Sequence, residues 1–198
     1  MRVKMEQLLG EAYGKYGIGA FNIFNAEQVM GVFRGVARAG SPVILQITPA
    51  ARNYLPCRMF QQMLLAAEAE FPGVRVAVHL DHGNTEHCQA AIESGFYNSV
   101  MIDASHETFK RNVLITREIV KRAHDKGLAV EAELGVVSGT EDHITVKDKK
   151  SVYTDPEQAA AFVAITGCDS LAVAVGTSHG AYKLTACEGL QVQVSVQS

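Results

Sequence analysis

Six runs of apolar, largely β-branched residues recur along the chain, their starts 24 to 41 residues apart: GIGAFNIFN (17–25), PVILQIT (42–48), VRVAVHLDH (74–82), NSVMIDAS (98–105), LAVEAELG (128–135) and DSLAVAVGT (169–177). They are nearly continuous rather than alternating, which predicts strands covered on both faces. Between them lie segments of helical spacing. AEQVMGVFRGVARAG puts Val29, Val32, Phe33 and Val36 on one stripe and ends at Gly40. RNVLITREIVKRAHDKG does the same with Val113, Ile115, Ile119 and Val120, and ends on Lys126-Gly127. DPEQAAAFVAITG opens with an Asp cap and a proline in the first turn, and stops at Gly167. Strand, helix, strand in this rhythm predicts βα units and a parallel sheet.

Two α/β architectures fit, a doubly wound open sheet and a (β/α)8 TIM barrel. No GxGxxG follows the first strand, so the dinucleotide fingerprint is absent. Polar residues decide between the two. Asn22 and Asn25, Asp81 and His82, Asp103, Glu131 and Glu133, and GTSHG (176–180) fall at the carboxyl ends of different strands. Barrel enzymes assemble their sites from that rim. A full barrel takes eight strands and about 250 residues, whereas here about 23 residues follow Val175. That is too few for two more βα units. The expectation is therefore about six of the eight βα units: residues 1–183 a partial barrel, 184–198 a separate tail. Within that tail LQVQVSVQ alternates Val with Gln or Ser, an amphipathic strand pattern.

Composition narrows the partners more than it identifies them. Of 198 residues, 47% are hydrophobic and 20% charged, with a net charge of −3. This balance offers no basic footprint for nucleic acid and no polybasic patch for a membrane surface. No apolar run reaches the ~20 residues of a membrane span, and MRVKMEQLLGEAYGKYG lacks the apolar core of a signal peptide. Cys57, Cys88, Cys168 and Cys187 form no CxxC pair. They read as reduced thiols, and the expected location is cytoplasmic.

The chemistry concentrates in VAVHLDHGNTEH (76–87). In a regular strand His79 and Asp81 share one face and His82 takes the other; a turn at the strand end can bring His82 back into the mouth. His179 stands in the same relation to the sixth strand, and Glu133 and Asp103 add carboxylates at the fifth and fourth. Imidazole and carboxylate converging from four strand ends suit a divalent metal. His79, inside the strand, reads as a buried packing residue or a support for a ligand. His87, His106, His124 and His143 read as solvated or capping residues. GTSHGAYK offers free amides and Lys183 for an anion, phosphate being the obvious candidate. The polar stretch 137–158 has the length of a lid, which could carry Glu141 or Asp142 over the mouth.

HLDHG, SVMIDAS, VEAELG, EDH and DSLAVAVGTSHGAYK, in that order, resemble the zinc-dependent class II fructose-bisphosphate aldolases and the related tagatose-bisphosphate aldolases, from about residue 5 to Lys183. The resemblance implies aldol cleavage of a ketose 1,6-bisphosphate to dihydroxyacetone phosphate and glyceraldehyde 3-phosphate, in a homo-oligomeric enzyme of carbohydrate metabolism. It implies that His82 and His179 hold a catalytic Zn2+. Asp81 becomes the acid–base group at the C4 oxygen, and Glu141 the loop residue moving the proton on the triose fragment. Asp103 and Glu133 match carboxylates of a second or alternative divalent position. Gly180 and Lys183 match a phosphate loop that also helps bind a monovalent cation; Asn22 and Thr48 match substrate-side positions. A Lewis-acidic metal would stabilise charge on the ketone side while a carboxyl group handles the alkoxide proton. The family's third zinc histidine and its later phosphate loops have no counterpart here, since no histidine follows His179. The alternative is therefore a catalytically incomplete fragment that folds or binds ligand poorly. A Schiff-base aldolase or isomerase is a further reading, disfavoured because no strand run contains a lysine.

Overall fold

A computed structural model of the chain describes residues 1–135, 139–141, 144–146 and 153–175. All six expected strands form. They are β1 (Gly19–Asn22), β2 (Val43–Ile47), β3 (Val76–Gly83), β4 (Ser99–Ile102), β5 (Ala129–Leu134) and, after a short antiparallel ribbon of β6 (Gly139–Glu141) and β7 (Ile144–Val146), β8 (Ser170–Val173). The six make one parallel sheet in the order β1-β2-β3-β4-β5-β8. Helices alternate with them: α1 (Met5–Ala12), α2 (Ala26–Ala39), α3 (Pro49–Tyr54), α4 (Cys57–Glu70), α5 (Thr85–Ser94), α6 (Phe109–His124) and α7 (Pro156–Thr166). This is the sequential, all-parallel winding of a (β/α)8 barrel, with six of its strands.

Register partners in a parallel sheet point the same way, so the pairing sorts the two faces. Val43, Leu45 and Ile47 align with Val76, Val78 and Leu80, and Leu80 aligns in turn with Val100 and Val130. These side chains pack under the helices against Phe33, Phe60, Leu64, Ile92, Ile119 and Phe162 in one continuous core. Each large side chain buried there stabilises the fold by roughly 1.5–3 kcal/mol before entropy is counted. The other face reads Asn22, Gln46, His79 and Ser99 across one row, with Glu131 and Glu133 above it. The expectation of strands covered on both faces holds for β3, β4 and β5 and fails at the edge strands β1 and β8. The runs are apolar outward and largely small or polar inward, Ile44 and Met101 excepted, and β1 is exposed at all four residues.

The small inward residues near the strand starts have a packing reason. Ala77 and Ala129 leave room for Met5, Leu8 and Val3, which form a second apolar cluster at that end of the sheet. Helix α1 therefore floors the concave side, opposite the carboxyl-end rim. It was one of the helices, with α3, α4 and α5, that the strand rhythm left unassigned.

The predicted helix limits hold where a cap defines them. Asn25 accepts from Gln28 N at the start of α2, and Gly40 closes it at φ +63. Helix α6 starts two residues earlier than its apolar stripe suggested, because Thr108 accepts from Arg111 N, and ends at His124. Asp155 accepts from both Glu157 N and Gln158 N, with Pro156 in the first turn of α7. Replacing Asp155 with Ala should cost about 1 kcal/mol. That corresponds to a fall of about 2–4 °C in Tm, measurable by thermal melting. Among the described residues no helix is long and apolar enough to cross a membrane.

Candidate metal centre and active site

The site begins with a fault in the β3–β4 ladder. Leu80 pairs with Val100, but the next pair is Gly83 with Ile102, three steps on β3 against two on β4. One extra residue is accommodated as a bulge, which bends the strand and re-aims side chains. Its backbone signature is His82 at φ +47, the one non-glycine residue with positive φ among those described. A left-handed backbone costs an ordinary L-residue roughly 1–2 kcal/mol. Gly83 is required beside it by space. A Cβ there would meet Leu80 Cδ2 at 2.7 Å, Met101 O at 3.0 Å and Cys88 Sγ at 3.1 Å.

The bulge overturns strict alternation, which put His82 on the face opposite Asp81. His82 Nδ1 lies 2.9 Å from Asp103 Oδ2 and 3.7 Å from Glu133 Oε2. Asp103 continues the ladder through its N–H to Gly83 O, 2.9 Å. Its Oδ1 accepts from Ser105 N at 3.1 Å and Ser105 Oγ at 2.8 Å. Burial alone would raise the Asp103 carboxyl; the hydrogen bonds from His82 and Ser105 outweigh it and hold the group at about 2. Glu133 is 5% exposed. Its carbonyl accepts from Asn112 Nδ2 of α6 at 2.9 Å, and Thr116 Oγ1 donates to Asn112 Oδ1 at 3.0 Å. Helix α6 thus pins the end of β5 through a buried polar pair.

One ligand atom from each of His82, Asp103 and Glu133 falls within 4.8 Å of the others. One imidazole and two carboxylates suit a divalent ion such as zinc. The nitrogen facing both carboxylates is Nδ1, so an ion held by all three residues would take the place of its proton. The donor set therefore fits the metal that the sequence implied.

Asp81 lies beside this cluster, 4% exposed. Its Oδ2 accepts from Asn22 Nδ2 at 3.1 Å and its Oδ1 from Gln46 Nε2 at 3.0 Å. Below it, His79 is 1% exposed, with Nδ1 2.7 Å from Ser99 Oγ and Nε2 3.4 Å from Glu131 Oε2. Burial, and then the neighbouring His82, bring His79 down to about 3. Burial, and then the charge of Asp81, push Glu131 up to about 7. His79 is thus a neutral, buried support.

The remaining expected residues divide. Thr48 is buried and spends Oγ1 accepting from Ala51 N at 3.2 Å, as the cap of α3. His87 completes a reciprocal cap with Asn84 on α5, His106 is exposed, and His124 Nε2 lies 2.8 Å from Asp169 Oδ2. Glu141 belongs to β6 by its backbone, and its side chain lies outside the described residues, as do His143, His179, Gly180, Lys183 and the tail from 184. Gln46, Ser105 and Asn112 were missed. Gln46 had a signal, being the single polar residue in the run 43–47.

Known proteins of the same pattern exist. Residues 3–195 match the family model described as fructose-bisphosphate aldolase class-II. A fructose-bisphosphate aldolase of Giardia intestinalis is 48% identical over 183 residues, covering 90% of this chain and 55% of that protein. One from Helicobacter pylori is 43% identical over 185 residues, covering 92% and 60%. The crystal structure of the YdjI aldolase from Escherichia coli K12 superposes with a TM-score of 0.75 at 38% identity, covering 89% and 62%. The chain thus spans 55–62% of the length of these relatives. By its sequence match, its winding and the donor set at its rim, the chain belongs to the class II fructose-bisphosphate aldolase family.

Proposed function

We propose that this chain carries the metal and acid–base groups for aldol cleavage of a ketose 1,6-bisphosphate, fructose or tagatose bisphosphate, to dihydroxyacetone phosphate and glyceraldehyde 3-phosphate. The observation that carries the reading is the turn at Asp81-His82. Two residues adjacent in sequence both reach the concave face, one into a pair of amide donors and one into a metal-binding cluster.

His82 would hold Zn2+ together with His179, with Glu133 and Asp103 as carboxylate ligands or as a second divalent position. Zinc bound there supplies Lewis acidity, polarising the substrate's ketone. The protein's own groups handle the proton. Asp81 accepts it from the C4 hydroxyl as the C3–C4 bond breaks and its electron pair passes to the ketone side; in condensation it returns the proton. Asn22 and Gln46 hold Asp81 for that exchange. Asp103, fixed by Ser105, keeps the His82 ring in one orientation. Glu141 would move the proton on the triose fragment, and Gly180 and Lys183 would take a phosphate, with a monovalent cation beside them. Thr48 would act on the substrate side through its backbone, its hydroxyl being engaged in the cap. The reading extends to a cytoplasmic homo-oligomer of carbohydrate metabolism, as the family resemblance implies.

A coupled assay with each bisphosphate, before and after EDTA and again after zinc is restored, tests this. Cleavage should vanish with chelation and return with zinc. Activity that survives EDTA and is trapped by borohydride would overturn the reading in favour of a lysine Schiff base. A folded chain that takes up no stoichiometric zinc and shows no turnover would favour the catalytically incomplete fragment.

A further inference from the structure

We infer that Gln46 is a positioning residue for Asp81: its side-chain amide, acting with that of Asn22 from the neighbouring strand, sets the plane of the carboxylate that exchanges the C4 proton. The inference rests on the proposed aldol reading and deepens it.

The described hydrogen bonds form a clamp, one amide to each carboxylate oxygen. Gln46 Nε2 reaches Oδ1 from β2 at 3.0 Å, and Asn22 Nδ2 reaches Oδ2 from β1 at 3.1 Å. The donor direction follows from chemistry: an ionised carboxylate only accepts, so each amide must present its NH2. Two donors on separate strands fix both the position of the carboxylate and its rotation, which a single bond would leave free. Asp81 needs such support because it sits inside the bulge, between Leu80 and Gly83, where the regular ladder to β4 is interrupted. The backbone of β3 is thus least regular where the side chain must be best placed.

The position of Gln46 argues for a purpose beyond packing. Its strand reads VILQI, with Val43, Leu45 and Ile47 fully buried under the helices. Gln46 stands in register with His79 and Asn22 on the concave face. Holding a long side chain in one rotamer costs conformational entropy, and an apolar residue such as Ile44, two positions earlier on the same face, would avoid that cost. The described hydrogen bond of the Gln46 side chain goes to Asp81.

Gln46→Met keeps the length and removes the donor. Steady-state cleavage of fructose 1,6-bisphosphate is compared in the zinc-loaded wild type, Gln46→Met, Asp81→Asn and the double variant. The expected result is a fall in kcat of about 10- to 100-fold for Gln46→Met, with KM and zinc stoichiometry within twofold of wild type. In the Asp81→Asn background the same substitution should change kcat less than twofold, because the group it positions is gone. Equal falls in both backgrounds, or a change in KM alone, would overturn the inference. A crystal structure of Gln46→Met gives a readout independent of turnover. A rotated Asp81 carboxylate supports the clamp, and an unmoved one overturns it. Absence of cleavage by the wild type itself would instead defeat the proposed function, so the two failures are distinguishable.

Discussion

His82→Ala is expected to abolish stoichiometric binding of a divalent ion and to lower kcat/KM for bisphosphate cleavage by about 10³-fold. A Lewis-acidic ion contributes several kcal/mol to stabilising developing charge, and each 1.36 kcal/mol corresponds to a tenfold change in rate. His82 is the imidazole of the described donor set, with Asp103 and Glu133 converging on it. The backbone provides an internal control. His82 sits at φ +47, a conformation glycine adopts freely and alanine does not. His82→Gly and His82→Ala should therefore lose metal and activity alike, while the glycine variant melts about 2–4 °C higher, reflecting about 1 kcal/mol of relieved strain. Titration calorimetry with zinc and a thermal melt of both variants check the two halves. Full zinc binding by either variant would remove His82 from the centre.

Gly83→Val is expected to cost about 1–3 kcal/mol, with a fall in Tm of about 2–12 °C, and to weaken zinc binding without touching a ligand. The cause is crowding on three sides. The nearest approaches of a Cβ are to Leu80 Cδ2, the Met101 carbonyl and Cys88 Sγ, and the carbonyl belongs to the β4 backbone and cannot swing aside. Relief would have to come from opening the bulge, which moves His82 away from Asp103. Gly31 on α2 is the contrast, since a Cβ there meets nothing within 4 Å. Gly31→Ala should raise stability by up to about 1 kcal/mol through helix propensity. A melt of the two variants with a zinc titration of the first is the check. Unchanged zinc affinity in Gly83→Val would show that the bulge does not depend on that glycine.

The strands were legible because their outward residues are Val, Leu and Ile in near-unbroken runs, and α2, α6 and α7 because their apolar stripes are bounded by Gly40, Gly127 and Asp155. The division of the strands into two faces was harder to see. Ala20, Ala77, Ala129 and Ala132 count as apolar in sequence, yet the first three face inward and the last outward. Asp81, Asp103 and Glu133 were placed correctly at the rim, since a carboxylate at a strand end has few structural uses. The orientation of His82 could only be allowed for, because a bulge is an event between two strands and leaves no periodic trace in one. Gln46, Ser105 and Asn112 were passed over for a related reason. Their roles depend on what lies across the sheet or under the next helix, and single amides and hydroxyls carry no spacing signal.

The β3 bulge brings ligand atoms of His82, Asp103 and Glu133 within 4.8 Å of one another beside Asp81, a set for one divalent ion. The most direct test of that assignment is a crystal structure of the zinc-loaded protein with anomalous data collected at the zinc absorption edge. One strong anomalous peak is expected within bonding distance of a ring nitrogen of His82 and adjacent to the carboxylates of Asp103 and Glu133. A folded chain that takes up no zinc, or a peak away from His82, would contradict the assignment.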